Sequence, residues 1–245
     1  MTLSIEDLTE RDIAKTIDHS LLRPELDDAF VEDGCRLAAR YHVASVCVRP
    51  ADVRRAKAIL AGTDVAVGTT IGFPHGNHAT EIKVHEAERA LADGATELDM
   101  VIQIGALKSG RDADVEADIR AVVDVAHAAG AIVKVIFENA YLTDDEKVRA
   151  CRLATAAGGD FVKTSTGFAP SGATHDDLRL MRANTPAHIG VKAAGGVRTL
   201  DALIDVMDLG VTRIGATATE TIILDFRSRK AGSAPAAAVS EAGGY

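Results

Sequence analysis

Short apolar runs rich in valine and isoleucine alternate along this chain with longer segments whose apolar residues recur at three- and four-residue spacing. The first pattern predicts strands, the second amphipathic helices. Strands are expected at residues 16–21, 44–48, 65–71, 97–102, 132–137, 160–164, 189–193 and 212–216. Helices are expected at 28–41, 52–60, 81–92, 114–129, 144–157, 175–183 and 200–209. Thr143 and Glu146 have the spacing of a capping box at the start of one of them. Asp93-Gly94, Gly130 and Gly210 stand where helices should stop.

Strand followed by helix, repeated about eight times with connections too short for a second domain, points to a parallel sheet. A doubly wound open sheet is the structural rival. The repeat count, at about 30 residues per unit, favours a single-domain α/β protein, a closed (β/α)8 TIM barrel over residues 1–226. No Gly-x-Gly-x-x-Gly follows a strand, so a dinucleotide site has no support. The segment from Arg227 is different, and Ala, Gly and Ser dominate residues 231–244. Residues 227–245 are therefore expected to form a flexible tail.

Composition narrows the function classes. The 245 residues are 47% hydrophobic and carry a formal net charge of -9. That charge argues against a nucleic-acid partner, which needs a cationic surface. A small anionic substrate stays compatible, because local lysines and helix N-termini bind phosphate on an acidic protein. No stretch approaches the roughly 20 apolar residues of a membrane span. The opening Met1-Thr2-Leu3-Ser4-Ile5-Glu6-Asp7 lacks the basic and apolar regions of a secretory signal. Cys35, Cys47 and Cys151 are far apart and odd in number, which suits a reduced, cytoplasmic protein. The histidines offer no zinc spacing, and His75 and His78 have no evident third ligand. No metal and no organic cofactor is expected.

Strand alternation picks out the candidate chemistry. In Phe161-Val162-Lys163 the valine suits the helix layer, so Lys163 should face the barrel interior. The same reasoning turns Lys192, Asp99, Lys134 and, on a shorter strand, Asp18 inward. Such residues can be no more than satisfied ion pairs. Yet five charges at equivalent places on five strands cost several kcal/mol per ion before pairing, and a barrel built only for stability uses Val, Ile or Leu there. An active site is the better account. A second ammonium and partial burial can lower a lysine pKa from about 10.4 to about 7–8, which frees an amine for Schiff-base chemistry. Asp99 would then serve as general acid/base. Cys47, with no histidine partner evident, suits a small barrel-lining residue.

Phosphate is the second signal. Ser165-Thr166-Gly167, Gly195-Gly196-Val197-Arg198 and Gly215-Ala216-Thr217 follow the last three strands. Barrel enzymes often bind phosphate on loops so placed, where glycines let backbone N–H groups approach the anion.

The segments Phe161-Val162-Lys163-Thr164-Ser165-Thr166-Gly167-Phe168, Val191-Lys192-Ala193-Ala194-Gly195-Gly196-Val197-Arg198 and Glu97-Leu98-Asp99-Met100-Val101-Ile102 resemble motifs of the deoxyribose-phosphate aldolase family. So do Ile17-Asp18-His19-Ser20-Leu21-Leu22 and Gly72-Phe73-Pro74. The resemblance implies a class I aldolase that reversibly cleaves 2-deoxy-D-ribose 5-phosphate to glyceraldehyde 3-phosphate and acetaldehyde. It makes Lys163 the Schiff-base lysine, Lys192 the lysine that tunes it, Asp99 the proton-transfer acid and Asp18 a support of that relay. It places Gly167, Gly195, Gly196, Arg198 and Gly215 at the phosphate end. Thr217 stands where a serine is common and keeps the hydroxyl. Because relatives often end in tyrosine, Tyr245 is a candidate proton-transfer residue. The competing readings are a phosphosugar isomerase or epimerase on the same barrel and a non-catalytic phosphosugar-binding paralogue. Assembly into a homo-oligomer is left open.

Overall fold

The structure is a computed structural model, and residues 3–232 are described. The chain opens with α1 (Glu10–Ala14), β1 (Ile17–Leu21), α2 (Asp28–Arg40), β2 (Ser45–Val48) and α3 (Val53–Ile59). It continues through β3 (Ala66–Ile71), α4 (Thr80–Ala92), β4 (Glu97–Val101), α5 (Ile104–Lys108), α6 (Asp112–Ala128) and β5 (Ile132–Ile136). Then come α7 (Asp144–Ala156), β6 (Phe161–Lys163), α8 (His175–Ala183), β7 (Gly190–Ala194), α9 (Leu200–Asp208), β8 (Arg213–Ala216) and α10 (Thr219–Lys230). All eight strands are parallel and close in sequence order, with β1 beside β8. This is the expected single-domain TIM barrel, and the open-sheet rival falls on that closure.

Period-two alternation sorts each strand between two environments. Val133, Val135, Val162, Val191 and Ile214 are wholly buried in the apolar cluster shared with the helices. Burying one such side chain stabilises by about 1.5–3 kcal/mol. The helix layer lies close: a Cβ on Gly34 would come 2.5 Å from Leu21, so only glycine lets α2 settle on β1 at that point. The opposite set points into the barrel and is charged, as the next subsection describes.

The capping box at Thr143 is present, with Glu146 reaching back to the Thr143 N–H. Two short helices, α1 and α5, escape the periodicity, since each spans five residues. The expected boundary at residue 226 is too early. Helix α10 runs on to Lys230, because Arg227 pairs with Glu10 and Arg229 with Asp201 and Asp225. The rest of the expected tail, with Tyr245, lies outside the described residues. Among the described residues no helix is long and apolar enough to cross a membrane.

Candidate active site

The inward-facing charges form one connected cluster. Asp99, mid-way along β4, receives hydrogen bonds from three lysines. Lys163 Nζ lies 2.7 Å and Lys192 Nζ 2.8 Å from its Oδ2, while Lys134 Nζ lies 2.8 Å from its Oδ1. Lys192 also donates to Asp18 Oδ2 at 2.5 Å. Asp18 accepts further from Ser45 Oγ at 2.7 Å and from Arg213. Lys134 reaches Glu97 at 2.6 Å, and Arg213 closes the lower end with a second bond to Glu97 at 2.8 Å. Register explains the convergence: Asp99 pairs with Lys134 across β4 and β5, Lys163 with Lys192 across β6 and β7, and Lys192 with Arg213 across β7 and β8. Lys163 is the last residue of its strand, so it tops the cluster at the C-terminal mouth, where barrel enzymes work.

Four cations (Lys134, Lys163, Lys192, Arg213) meet three carboxylates (Asp18, Asp99, Glu97) in this cluster. The surplus is one positive charge, and it falls on Lys163. Burial is the largest influence on Lys163 and lowers its pKa; Asp99 opposes this and the Lys192 ammonium adds to it. Burial works against Lys192 as well, but Asp18 and Asp99 outweigh it and its pKa is raised. Lys134 is likewise held well above the usual lysine range by Asp18, Asp99 and Glu97, against its burial. Burial would raise Asp99, yet the three lysines hold it well below the usual carboxylate range. Of the two influences expected on Lys163, burial comes first and the Lys192 ammonium after it, and Asp99 stands between the two amines. Cys47 lies in the same interior, where burial and then Asp99 push its thiol up to about 11. It is a neutral lining residue.

The loops above β6, β7 and β8 open side by side. Gly167, Gly195 and Gly196 all have positive φ, at 90°, 77° and 99°. The loop after β6 rests on the loop after β7: Ala173 N–H donates to Ala194 O at 3.0 Å and to Gly195 O at 3.1 Å. Arg198 and Thr217 are exposed at this mouth. Gly215 lies lower, inside the barrel wall, where a Cβ would sit 3.8 Å from Lys192 Cε. Helix α10 follows β8 with Ala218 as its N-cap, which supplies no side-chain hydrogen bond to the first turn.

Comparison with known proteins agrees with this arrangement. The model of the DeoC/LacD family of aldolases matches residues 13–224. The chain belongs to that family. A deoxyribose-phosphate aldolase of Rhodopirellula baltica is 49% identical over 91% of this chain and 92% of its own length. One from a Geobacillus species is 51% identical over 87% of this chain and 96% of its own. The solved tetrameric deoxyribose phosphate aldolase of Aeropyrum pernix superposes with a TM-score of 0.84 at 29% identity, covering 90% of this chain and 93% of that one.

Two residues of this cluster, and one beside the loop after β6, went unnoticed in the sequence. Glu97 and Arg213 share the inward face of β4 with Asp99 and of β8 with Gly215, and alternation alone could have found them. Glu138 lies two residues beyond Ile136, at the mouth end of β5. It is buried, and its backbone is left-handed, with φ 57°.

Proposed function

We propose that this chain reversibly cleaves 2-deoxy-D-ribose 5-phosphate to D-glyceraldehyde 3-phosphate and acetaldehyde through a Schiff base on Lys163. One observation carries the reading. Of the three lysines on Asp99, Lys163 alone has a lowered pKa, while Lys134 and Lys192 are raised. An amine at the mouth shifted towards its neutral form, beside held ammonium groups and an ionised carboxylate, suits imine formation.

The neutral Lys163 Nζ attacks the C1 aldehyde of the open-chain sugar, and the carbinolamine loses water to give a protonated imine. That imine accepts the electron pair of the C2–C3 bond as the bond breaks. The proton of the C3 hydroxyl passes to a base, glyceraldehyde 3-phosphate departs, and an enamine stays on Lys163. Protonation at C2 and hydrolysis release acetaldehyde and restore the amine. In this scheme ionised Asp99 is the proton acceptor of the relay and Lys192 the donor, with Asp18 holding Lys192 charged. Ser165 Oγ, two residues past the nucleophile, is buried without a hydrogen-bond partner and suits a substrate hydroxyl.

The phosphate falls to Gly167, Gly195, Gly196, Arg198 and Thr217, with the first turn of α10 adding N–H groups. Gly215 serves the same end by leaving room above Lys192. An isomerase needs a carboxylate base at the substrate carbon and has no use for the two close amines of Lys163 and Lys192. The buried, unbonded Cys35, Cys47 and Cys151 suit a reduced cytoplasmic setting. A homo-oligomer is in keeping with the tetrameric Aeropyrum pernix relative, and light scattering on the purified chain reads its size.

Borohydride reduction in the presence of acetaldehyde tests the assignment. The Lys163 peptide alone should gain the mass of an ethyl group. Label on Lys192 would overturn the choice of nucleophile. The isomerase and binding-protein readings both require no label at all.

A further inference from the structure

The left-handed Glu138 lies between two residues whose N–H groups bond to the end of β6 and the residue after it. The Phe137 N–H donates to Lys163 O at 3.0 Å, and the Asn139 N–H to Thr164 O at 2.9 Å. Between them the Glu138 carboxylate turns onto Thr166, accepting its N–H at 3.2 Å and its hydroxyl in a short bond. The Thr166 hydroxyl in turn accepts the Phe168 N–H at 3.0 Å. Phe168 packs edge-on against Phe73 with ring centroids 5.3 Å apart. One buried carboxylate thus fixes the start of the loop after β6, which carries Gly167 at φ 90°.

That placement is costly in itself. A non-glycine residue in the left-handed region is strained, and such strain is kept where the surroundings over-determine it. Glu138 is 2% exposed, and burial raises its pKa while the Thr166 hydroxyl and N–H work the other way. An alanine or a threonine at 138 would spare the fold a buried acid. The carboxylate does something a hydrophobic side chain could not: it takes two donors of the loop at once, and so sets both the backbone and the side chain of Thr166.

We infer that Glu138 is a positioning residue that holds the Thr166–Phe168 segment for the phosphate end of the substrate, and so sets the preference for phosphorylated over unphosphorylated sugars. This rests on the aldolase reading above. Glu138 acts through Thr166 and Gly167: its carboxylate hydrogen-bonds to Thr166 and reaches Lys163 only as a nearby charge.

The test compares 2-deoxyribose 5-phosphate with 2-deoxyribose as substrates for Glu138→Gln. Glutamine keeps the size but loses the charge, and leaves one neutral acceptor oxygen, beside an NH2 that cannot accept, for the two Thr166 donors. The ratio of kcat/KM for the phosphorylated to the unphosphorylated sugar should fall about tenfold or more, mainly through KM, the scale on which a small misplacement of a binding group tells. Borohydride trapping of acetaldehyde on Lys163 should continue. Thr166→Val removes the partner hydroxyl from the other side. It should lower the same ratio, and the double variant should lose less than the sum of the two singles. An unchanged ratio in folded Glu138→Gln overturns the inference, as does an equal loss on both sugars. If Glu138→Gln does not fold, Thr166→Val alone decides in the same way. Failure of acetaldehyde trapping in the unsubstituted protein would instead sink the aldolase reading, so the two failures are distinguishable.

Discussion

Replacing Lys192 with leucine should raise the pKa of Lys163. Both amines donate to the same Asp99 oxygen, at 2.7 and 2.8 Å. Two hydrogen bonds to one oxygen place their nitrogens about 4.5 Å apart. At an effective dielectric of about 20, two like charges at that distance repel by about 4 kcal/mol, or between two and three pKa units. Charge counting gives the same sign. Without Lys192, the cations Lys134, Lys163 and Arg213 face the carboxylates Asp18, Asp99 and Glu97, and a protonated Lys163 balances the cluster. Asp99, having lost one partner, also draws Lys163 towards the charged form. Relaxation and entering water reduce the effect, so a rise of at least about one unit is expected. The assay is the pH dependence of borohydride trapping with acetaldehyde, which needs the free amine but not turnover. Its acidic limb should move up in Lys192→Leu, with circular dichroism checking the fold. An unmoved limb in a folded variant would refute the electrostatic reasoning and leave Lys192 as a ligand of substrate oxygen.

Three further outcomes follow from other parts of the molecule. His19 is buried against Thr219, and burial lowers its pKa to about 4 from 6.5. The unfolded chain therefore binds the extra proton first, and stability is lost as pH falls from about 6.5 through 4, by at most about 3 kcal/mol. Denaturant titrations of His19→Gln should show a flatter pH dependence across that window, and an unchanged slope would clear His19 of the effect. A Cβ on Gly172 would lie 2.5 Å from Gly195 O. Gly172→Ala should splay the loops after β6 and β7 and raise KM for the phosphorylated sugar several-fold, and an unaltered KM would show that the loops do not bind phosphate together. Tyr245→Phe should slow acetaldehyde α-proton exchange in D2O about 10²-fold while the imine on Lys163 still forms, and exchange at the original rate would make the terminal phenol dispensable.

Much of the site was legible because a strand has a period of two. A valine on either side of Lys134, or before Lys163 and Lys192, is enough to assign the lysine to the barrel interior, and the barrel brought all five marked charges together. What alternation could not supply is distance around the ring. Asp18 on β1 meets Lys192 on β7 and Arg213 on β8 only because the sheet closes. Glu97 and Arg213 begin their strands, and carrying the alternation one step back from Leu98 and Ile214 would have turned both inward. Glu138 follows a strand end, and its left-handed turn breaks the alternation that would have pointed to it. Composition misled at Arg227, since a helix end held by ion pairs to Glu10 and Asp201 resembles the start of a polar tail. Two inward lysines on adjacent strands, partly buried, suggested a depressed pKa, but repulsion and burial act on both amines and do not tell one from the other. The closed cluster breaks that symmetry. Lys192 has two carboxylates and Lys163 has only one, shared with two other lysines, so burial lowers the pKa of Lys163 while that of its neighbour is raised.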